Sequence, residues 1–257
     1  MSYQSPSQIR QQLKKTYRQI AASFSQTRSH PWPEFEFFGS LVSEESKVLD
    51  LGCGNGRLYD FLQNKNPDYT GIDFCPELLE IAHKRYPKQT FLEQDITELD
   101  LPNSFDVILC IAAFHHIPST KLRKKTLKLV LQHLEPDGVF LLSVWNLWQW
   151  KYAGCFIRSF FRWILSGFRG SPRDLMIPFG PEKIKRYYYA FLPFEVRSLL
   201  SQQSFEINEF RVSGHNFLFV CRPRLLKGVS SPIPVSEKIF SRPLRNASPI
   251  ATCKGPS

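Results

Sequence analysis

An α/β fold with a doubly wound, mostly parallel sheet is predicted for this 257-residue chain on three observations. Short apolar runs of strand length alternate with helical patterns, which is the signature of a parallel sheet. The first run passes into a glycine-rich turn, VLDLGCGNGR over 48–57. Asp50, Asp73 and Asp95 stand at the carboxyl ends of three successive runs, where open α/β sheets bind their ligands.

The elements follow in order. Residues 8–24 carry Ile9, Leu13, Tyr17, Ile20 and Phe24 on one stripe with Lys14, Lys15 and Arg18 opposite, which predicts an amphipathic helix over the mouth of the site. Two prolines flank Trp32, so Trp32 is expected in extended backbone before a helix that begins near Glu34. Gly52, Gly54 and Gly56 let the backbone take φ > 0 and approach a ligand closely, and Leu58, Tyr59, Phe61 and Leu62 continue at helical spacing. YTGIDF at 69–74 and TFLEQDI at 90–96 are the second and third strands, and FDVILCIA at 105–112 is a fourth, buried on both faces.

Ser119 or Thr120 caps a helix that runs to 134 with Leu122, Leu127, Val130, Leu131 and Leu134 as its buried stripe. LEPDG at 134–138 ends that helix in a turn, and VFLLSVW is the fifth strand. Residues 147–190 break the alternation, being rich in aromatics and arginine, and are expected to form an inserted cap that binds single-stranded RNA or packs on the sheet. Residues 193–201 read as a helix, with FEINEFRVSG and HNFLFVCRP as a closing antiparallel hairpin. From 224 onward Pro, Ser, Lys and Arg dominate without periodicity, so the expected organisation is one domain over 1–223 and a disordered basic tail over 224–257.

A formal net charge of +10 favours a polyanionic partner, RNA or an anionic membrane surface. The six cysteines are scattered with no Cys-x-x-Cys pair, so no metal site or disulfide framework is indicated and a reducing cytoplasm fits best. Residues 1–20 lack the apolar segment of a secretory signal, and the apolar stretch 139–165 is interrupted by Lys151, Arg158 and Arg162, so no spanning helix is expected.

The glycine turn departs from a dinucleotide fingerprint, because its third glycine comes one residue early and an acid precedes the first. Asp50 would repel a pyrophosphate and attract a cation. S-adenosylmethionine carries an ammonium and a sulfonium and no phosphate, so Asp50 is expected at its amino-acid end and Asp73 at its ribose hydroxyls. Asp95 is expected to accept from the adenine amino group, with Ile96 against the ring. Gly52, Cys53, Gly54, Gly56 and Cys110 complete the expected cofactor-binding set. A glycine-rich turn that binds nothing is the plainer alternative, and the three strand-end acids together weigh against it.

The segments DLGCGNG, GID, EQDI and LEPDG resemble class I S-adenosylmethionine-dependent methyltransferases, which implies a Rossmann-like, seven-stranded sheet. IAASFSQTRSHPWP at 20–33, CIAAFHHI at 110–117 and RYYYAFLPFEVRSLL at 186–200 are similar to the tRNA wobble-uridine carboxymethyl methyltransferases, including the methyltransferase domain of the AlkB-homologue fusion enzyme. The resemblance runs from about residue 8 to 222 with an interruption across the cap. It implies esterification of a carboxymethyl group on the wobble uridine of tRNA. A carboxylate is already anionic at neutral pH, so such a displacement needs positioning and desolvation more than a general base.

Arg28, His115 and His116 are the residues expected to hold that carboxylate, with Tyr17 and Tyr187 stacking or hydrogen bonding near the base. The resemblance implies tRNA as partner, gripped by the basic helix face, the cap and the tail, and a small zinc-binding activator subunit in eukaryotic members. Two departures from the family bear on the pocket. Gly214, His215, Asn216 and Phe217 stand where an Asp-Asn-Trp stretch is usual, and Phe114 replaces a smaller residue before the histidines, which is expected to change the mouth of the site. Two other function classes remain open: a small-molecule O- or N-methyltransferase, and a non-catalytic RNA- or membrane-surface adaptor.

Overall fold

The computed structural model describes residues 4–27 and 32–224. Helix α1 (Pro6–Gln26) opens the chain, with Pro6 in its first turn and Ser5 capping it in a reciprocal box with Gln8. Trp32, extended at φ −94° and ψ 141°, leads into α2 (Pro33–Ser40). Then come β1 (Lys47–Leu51), the one-turn α3 (Tyr59–Leu62), β2 (Asp68–Asp73), α4 (Pro76–Arg85), β3 (Thr90–Glu93) and β4 (Phe105–Ile111). After them follow α5 (Thr120–His133), β5 (Leu134–Trp145), α6 (Ala153–Leu165), β6 (Asp174–Phe179), β7 (Ile184–Tyr189), α7 (Pro193–Gln202), β8 (Phe205–Ser213) and β9 (Asn216–Pro223).

Seven strands form one sheet in the order β3-β2-β1-β4-β5-β9-β8. The first five are parallel, and β9 and β8 close the far edge as an antiparallel hairpin. Strand order reverses between β1 and β4, so the segments that leave their carboxyl ends, the glycine turn and the two histidines, meet at the switch point. Leu49, Leu51, Ile108, Phe140, Leu142 and Phe219 belong to one core, while Val48, Leu109, Leu141, Leu218 and Val220 belong to a second. This division of neighbouring strand residues is what period-two alternation produces in a sheet covered on both faces.

Helix α1 buries Leu13, Tyr17, Ile20 and Ala21. Two cations of its expected basic face and Arg10 pair with acids of the same domain: Arg10 with Asp95 and Glu98, Lys14 with Glu93, and Arg18 with Glu77. Each pair is half-exposed and worth about 0–1 kcal/mol, so together they orient the helix more than they stabilise it.

Several boundaries differ from expectation. β3 stops at Glu93, and Asp95 instead caps a short 3₁₀ turn, Ile96–Glu98, by accepting from the Thr97 amide. LEPDG is drawn into β5, because Leu134 pairs with Phe105 before a register shift leads to Val139 against Val107. The cap expected at 147–190 is ordered as a 3₁₀ turn at Trp150–Tyr152, helix α6 and the two-stranded β6–β7 sheet. Leu147, Cys155, Leu175, Ile177, Tyr188 and Ala190 give it a small core of its own. Arg28 and the expected tail from 225 onward lie outside the described residues.

Candidate active site

The floor of the cavity is the glycine turn, whose Gly52 and Cys53 amides donate to the Ile72 carbonyl at 2.7 and 3.0 Å. Gly52 has φ +79°, and a Cβ there would lie 2.5 Å from Ala113 Cβ, so the turn and the segment after β4 touch only because this residue is glycine. Gly54, at φ +56°, has nothing nearer to a built Cβ than Leu78 at 4.0 Å and leaves room on the cavity side. Gly56 plays a different part from the one expected. It does not line the cavity, and a Cβ on it would meet Phe91 and Tyr86 at 3.0–3.1 Å, so its role is packing.

Asp50, Asp73 and Asp95 all line the cavity. Burial pushes the Asp50 carboxyl up to about 7, against the Tyr69 hydroxyl that donates to it at 2.7 Å. Burial also raises Asp73, to about 6, although its carboxylate accepts from the Gly54 and Cys75 amides at 3.0 and 2.9 Å. Asp95 accepts from the Thr97 amide and hydroxyl and from Arg10 Nε, so one of its oxygens is tied to each neighbour. Ile96 and Cys53 line the cavity as expected. Cys110 does not: it is 1% exposed inside the core beneath β4, and Ile111 and Ala112 line the cavity at that strand end.

The two histidines are opposite tautomers with opposite jobs. His116 donates from Nδ1 to the Tyr187 carbonyl at 2.7 Å, which leaves Nε2 to accept from the Tyr17 hydroxyl at 2.8 Å. Both nitrogens are used, and burial followed by the nearby Arg186 charge lowers its pKa to about 3. His116 therefore positions Tyr17 and is not a base. His115 accepts the Trp145 amide at Nδ1, so its proton sits on Nε2, and that buried donor has no acceptor among the described residues. Burial, then the His116 and Arg186 charges, holds His115 well below the ordinary imidazole value.

The most consequential side chain was not singled out from the sequence. Arg186 on β7 lines the cavity at 4% exposure, with its guanidinium 4.3 Å above the Phe179 ring and donating to the Tyr17 hydroxyl at 3.3 Å. Its Nε has no acceptor, and among the described residues no carboxylate pairs with it. Tyr188, on the same face of β7, stacks between Trp145 at 5.1 Å and His115 at 5.1 Å. Tyr187 points the other way, and its hydroxyl donates to Asp174, so it is a packing residue and not part of the cavity. The signal that separates the two tyrosines is strand alternation, hidden as long as KIKRYYY is read as irregular cap. Phe114 is likewise not at the mouth, since it stacks on Phe191 in the core at 1% exposure. Asn216 donates to the buried Glu34 instead of forming a pocket wall.

A glycine turn at the β1–β4 switch point and acids at the ends of β1 and β2 and just beyond β3 define a class I S-adenosylmethionine-dependent methyltransferase. The acids fit a cationic, phosphate-free cofactor, and the space beside Gly54 fits its close approach. Residues 48–138 match the methyltransferase domain family. The chain is 30% identical over 209 residues to the tRNA (carboxymethyluridine(34)-5-O)-methyltransferase of Schizosaccharomyces pombe, covering 72% of this chain and 85% of that one. It is 32% identical to the Saccharomyces cerevisiae protein of the same name, covering 66% of this chain and 62% of the relative.

Solved structures show the same fold, among them a methyltransferase from Methanosarcina mazei at TM-score 0.65 and 22% identity, covering 76% of this chain and 99% of that one. The chain belongs to the family of the tRNA (carboxymethyluridine(34)-5-O)-methyltransferases, and its cofactor is S-adenosylmethionine. It spans about a fifth of the length of the Xenopus tropicalis and Macaca fascicularis relatives it matches. No described helix is long and apolar enough to cross a membrane.

Proposed function

We propose that this chain transfers a methyl group to the carboxylate of a carboxymethyl group on the wobble uridine of tRNA. The observation that carries the reading is the buried Arg186 guanidinium, which no carboxylate among the described residues pairs with, in the same cavity as the His115 N–H, which has no acceptor among them. A buried cation with no carboxylate among the described residues costs several kcal/mol, and an acceptor that brings its own carboxylate supplies an anion. Arg186 and the neutral His115 together hold the two carboxylate oxygens by donation, without taking the negative charge that attacks. Arg186 thus joins the expected anchors, of which Arg28 lies outside the described residues. Tyr188 and Trp145 present an aromatic wall suited to a pyrimidine ring.

Bound S-adenosylmethionine supplies an electrophilic methyl on its sulfonium. Asp50 holds the ammonium end, Asp73 the ribose hydroxyls, and Asp95 with Ile96 the adenine. No general base is needed, which accords with His116 having both nitrogens engaged. The relatives named for tRNA and the net charge of +10 support tRNA as the acceptor, and burial of all five described cysteines accords with a reducing compartment. No residue described here supports the zinc-binding activator subunit that the resemblance implies.

The test is to incubate purified protein with cofactor and tRNA that carries 5-carboxymethyluridine, followed by nucleoside mass spectrometry. Appearance of the methyl ester with loss of the free acid supports the reading. Esterification of small free carboxylic acids, with none on tRNA, moves the acceptor to a small molecule and leaves the Arg186 anchor in place.

A further inference from the structure

Helix α6 is amphipathic the wrong way round for a helix that packs on its own domain. At 100° per residue, Cys155, Ser159 and Arg162 fall on one side, and Ile157, Phe160, Phe161, Ile164 and Leu165 on the other. Apart from Phe156, which packs on the cap core, the inner side is small and polar. Cys155 and Ser159 are buried, the Ser159 hydroxyl donates to the Asp174 carbonyl at 2.6 Å, and Arg162 donates to the same carbonyl. The apolar side faces out, with Ile157 58%, Phe161 58% and Leu165 80% exposed. Trp150, 95% exposed, stands before the helix and Phe168, 64% exposed, after it. Contiguous apolar surface of this kind marks an interaction site.

The charge around the strip selects the occupant. No Asp or Glu occurs between 138 and 173, whereas Lys151, Arg158 and Arg169 are exposed there. Two copies meeting through this strip would bring those cations against one another with no acid to offset them. An RNA strand would find phosphate partners and rings at Trp150, Phe160, Phe161 and Phe168, but Ile157, Ile164 and Leu165, interleaved with them on one face, offer nothing for a base to stack on and would desolvate phosphates without compensation. An anionic bilayer satisfies both features at once. Aliphatic and aromatic side chains enter the acyl boundary, tryptophan sits at the headgroup level, and the basic side chains meet lipid phosphates.

We propose that the outer face of α6, with Trp150 and Phe168, is a membrane-surface docking site that lays this helix in the headgroup plane of an anionic bilayer. It is independent of which acceptor is methylated. The test is flotation of the full chain with vesicles of phosphatidylcholine mixed with phosphatidylglycerol, beside vesicles of phosphatidylcholine alone. Co-flotation with the anionic vesicles, weaker by about tenfold or more on the neutral ones and in a Phe161→Glu/Leu165→Glu variant, is the expected result. An Arg158→Glu/Arg169→Glu variant should lose the preference for anionic lipid while cofactor affinity stays at the wild-type value.

Absence of flotation with anionic vesicles at low salt overturns the proposal. So does flotation that the apolar variant leaves unchanged, which would place binding elsewhere on the chain. A concentration-dependent dimer in sedimentation velocity that Phe161→Glu/Leu165→Glu abolishes overturns it in favour of a second copy. Loss of tRNA affinity in that variant, without vesicle binding by the wild type, overturns it in favour of RNA.

Discussion

Arg186 sets a residue-scale conflict between stability and function. Its charge is buried among Tyr17, Phe179 and Tyr188 with no carboxylate among the described residues, which burdens the fold and, on the proposed reading, suits an anionic acceptor. Arg186→Met, which keeps most of the aliphatic volume, should therefore raise the melting temperature of the free protein while raising KM for a carboxylate-bearing acceptor by about 100-fold. A thermal melt beside steady-state kinetics checks both signs, and a variant that melts lower with unchanged KM contradicts the assignment. Gly52→Ala tests the floor of the site. The added methyl meets Ala113 at 2.5 Å in a left-handed backbone, so cofactor affinity measured by calorimetry should fall by about tenfold or more while the sheet still folds. The glycine turn and its acids were legible in the sequence because their geometry is local. Arg186 was not, because what sets it apart is burial with no carboxylate beside it among the described residues, which only the folded chain reveals.

Among elements, the phase of β7 decides which side chains serve the site. Arg186 and Tyr188 face the cavity, while Tyr187 and Tyr189 turn toward α5, α7 and Asp174, where Arg123 lies 3.5 Å above the Tyr189 ring and donates to the Ile117 carbonyl. Tyr187→Phe should cost about 1–2 kcal/mol of stability in a denaturant melt, since it strips a buried hydroxyl from Asp174, yet leave cofactor and acceptor affinities unchanged. A rise in KM for the acceptor would restore Tyr187 to the site. The parallel strands and α1 were legible because period-two and period-3.6 patterns are long and clean there. The segment from 147 to 190 was not, because α6 carries its apolar face outward and an inward-facing rule assigns it to no packed layer. The same inversion explains how a stretch rich in Phe and Trp can contribute little to the core.

On the scale of the whole molecule, the buried acids and buried histidines tilt the pH dependence of stability in opposite directions. Asp50 and Asp73 titrate at about 7 and about 6 when folded, above an ordinary 3.8, so the native state holds more protons than the unfolded chain between those limits. Their relative contribution is complete below about pH 4 and is lost as pH rises through 6 and 7. His116, at about 3 when folded, runs the other way: its contribution is present above about 6.5 and lost as pH falls toward 3. The cofactor couples to the first of these. With the ammonium at Asp50, as proposed, binding needs that carboxyl ionised, so below pH 7 it must expel a proton and affinity should weaken steadily from about pH 8 to about pH 5.5. Calorimetry in two buffers of different ionisation enthalpy reads the proton directly, with release nearing one per site at pH 6 and vanishing above pH 8. Asp50→Asn should abolish the buffer dependence together with most of the affinity. Binding that is equally tight at pH 6 and pH 8, with no buffer dependence, would mean that the Asp50 carboxyl is already charged beside Tyr69 and that the cofactor's cationic end is held elsewhere.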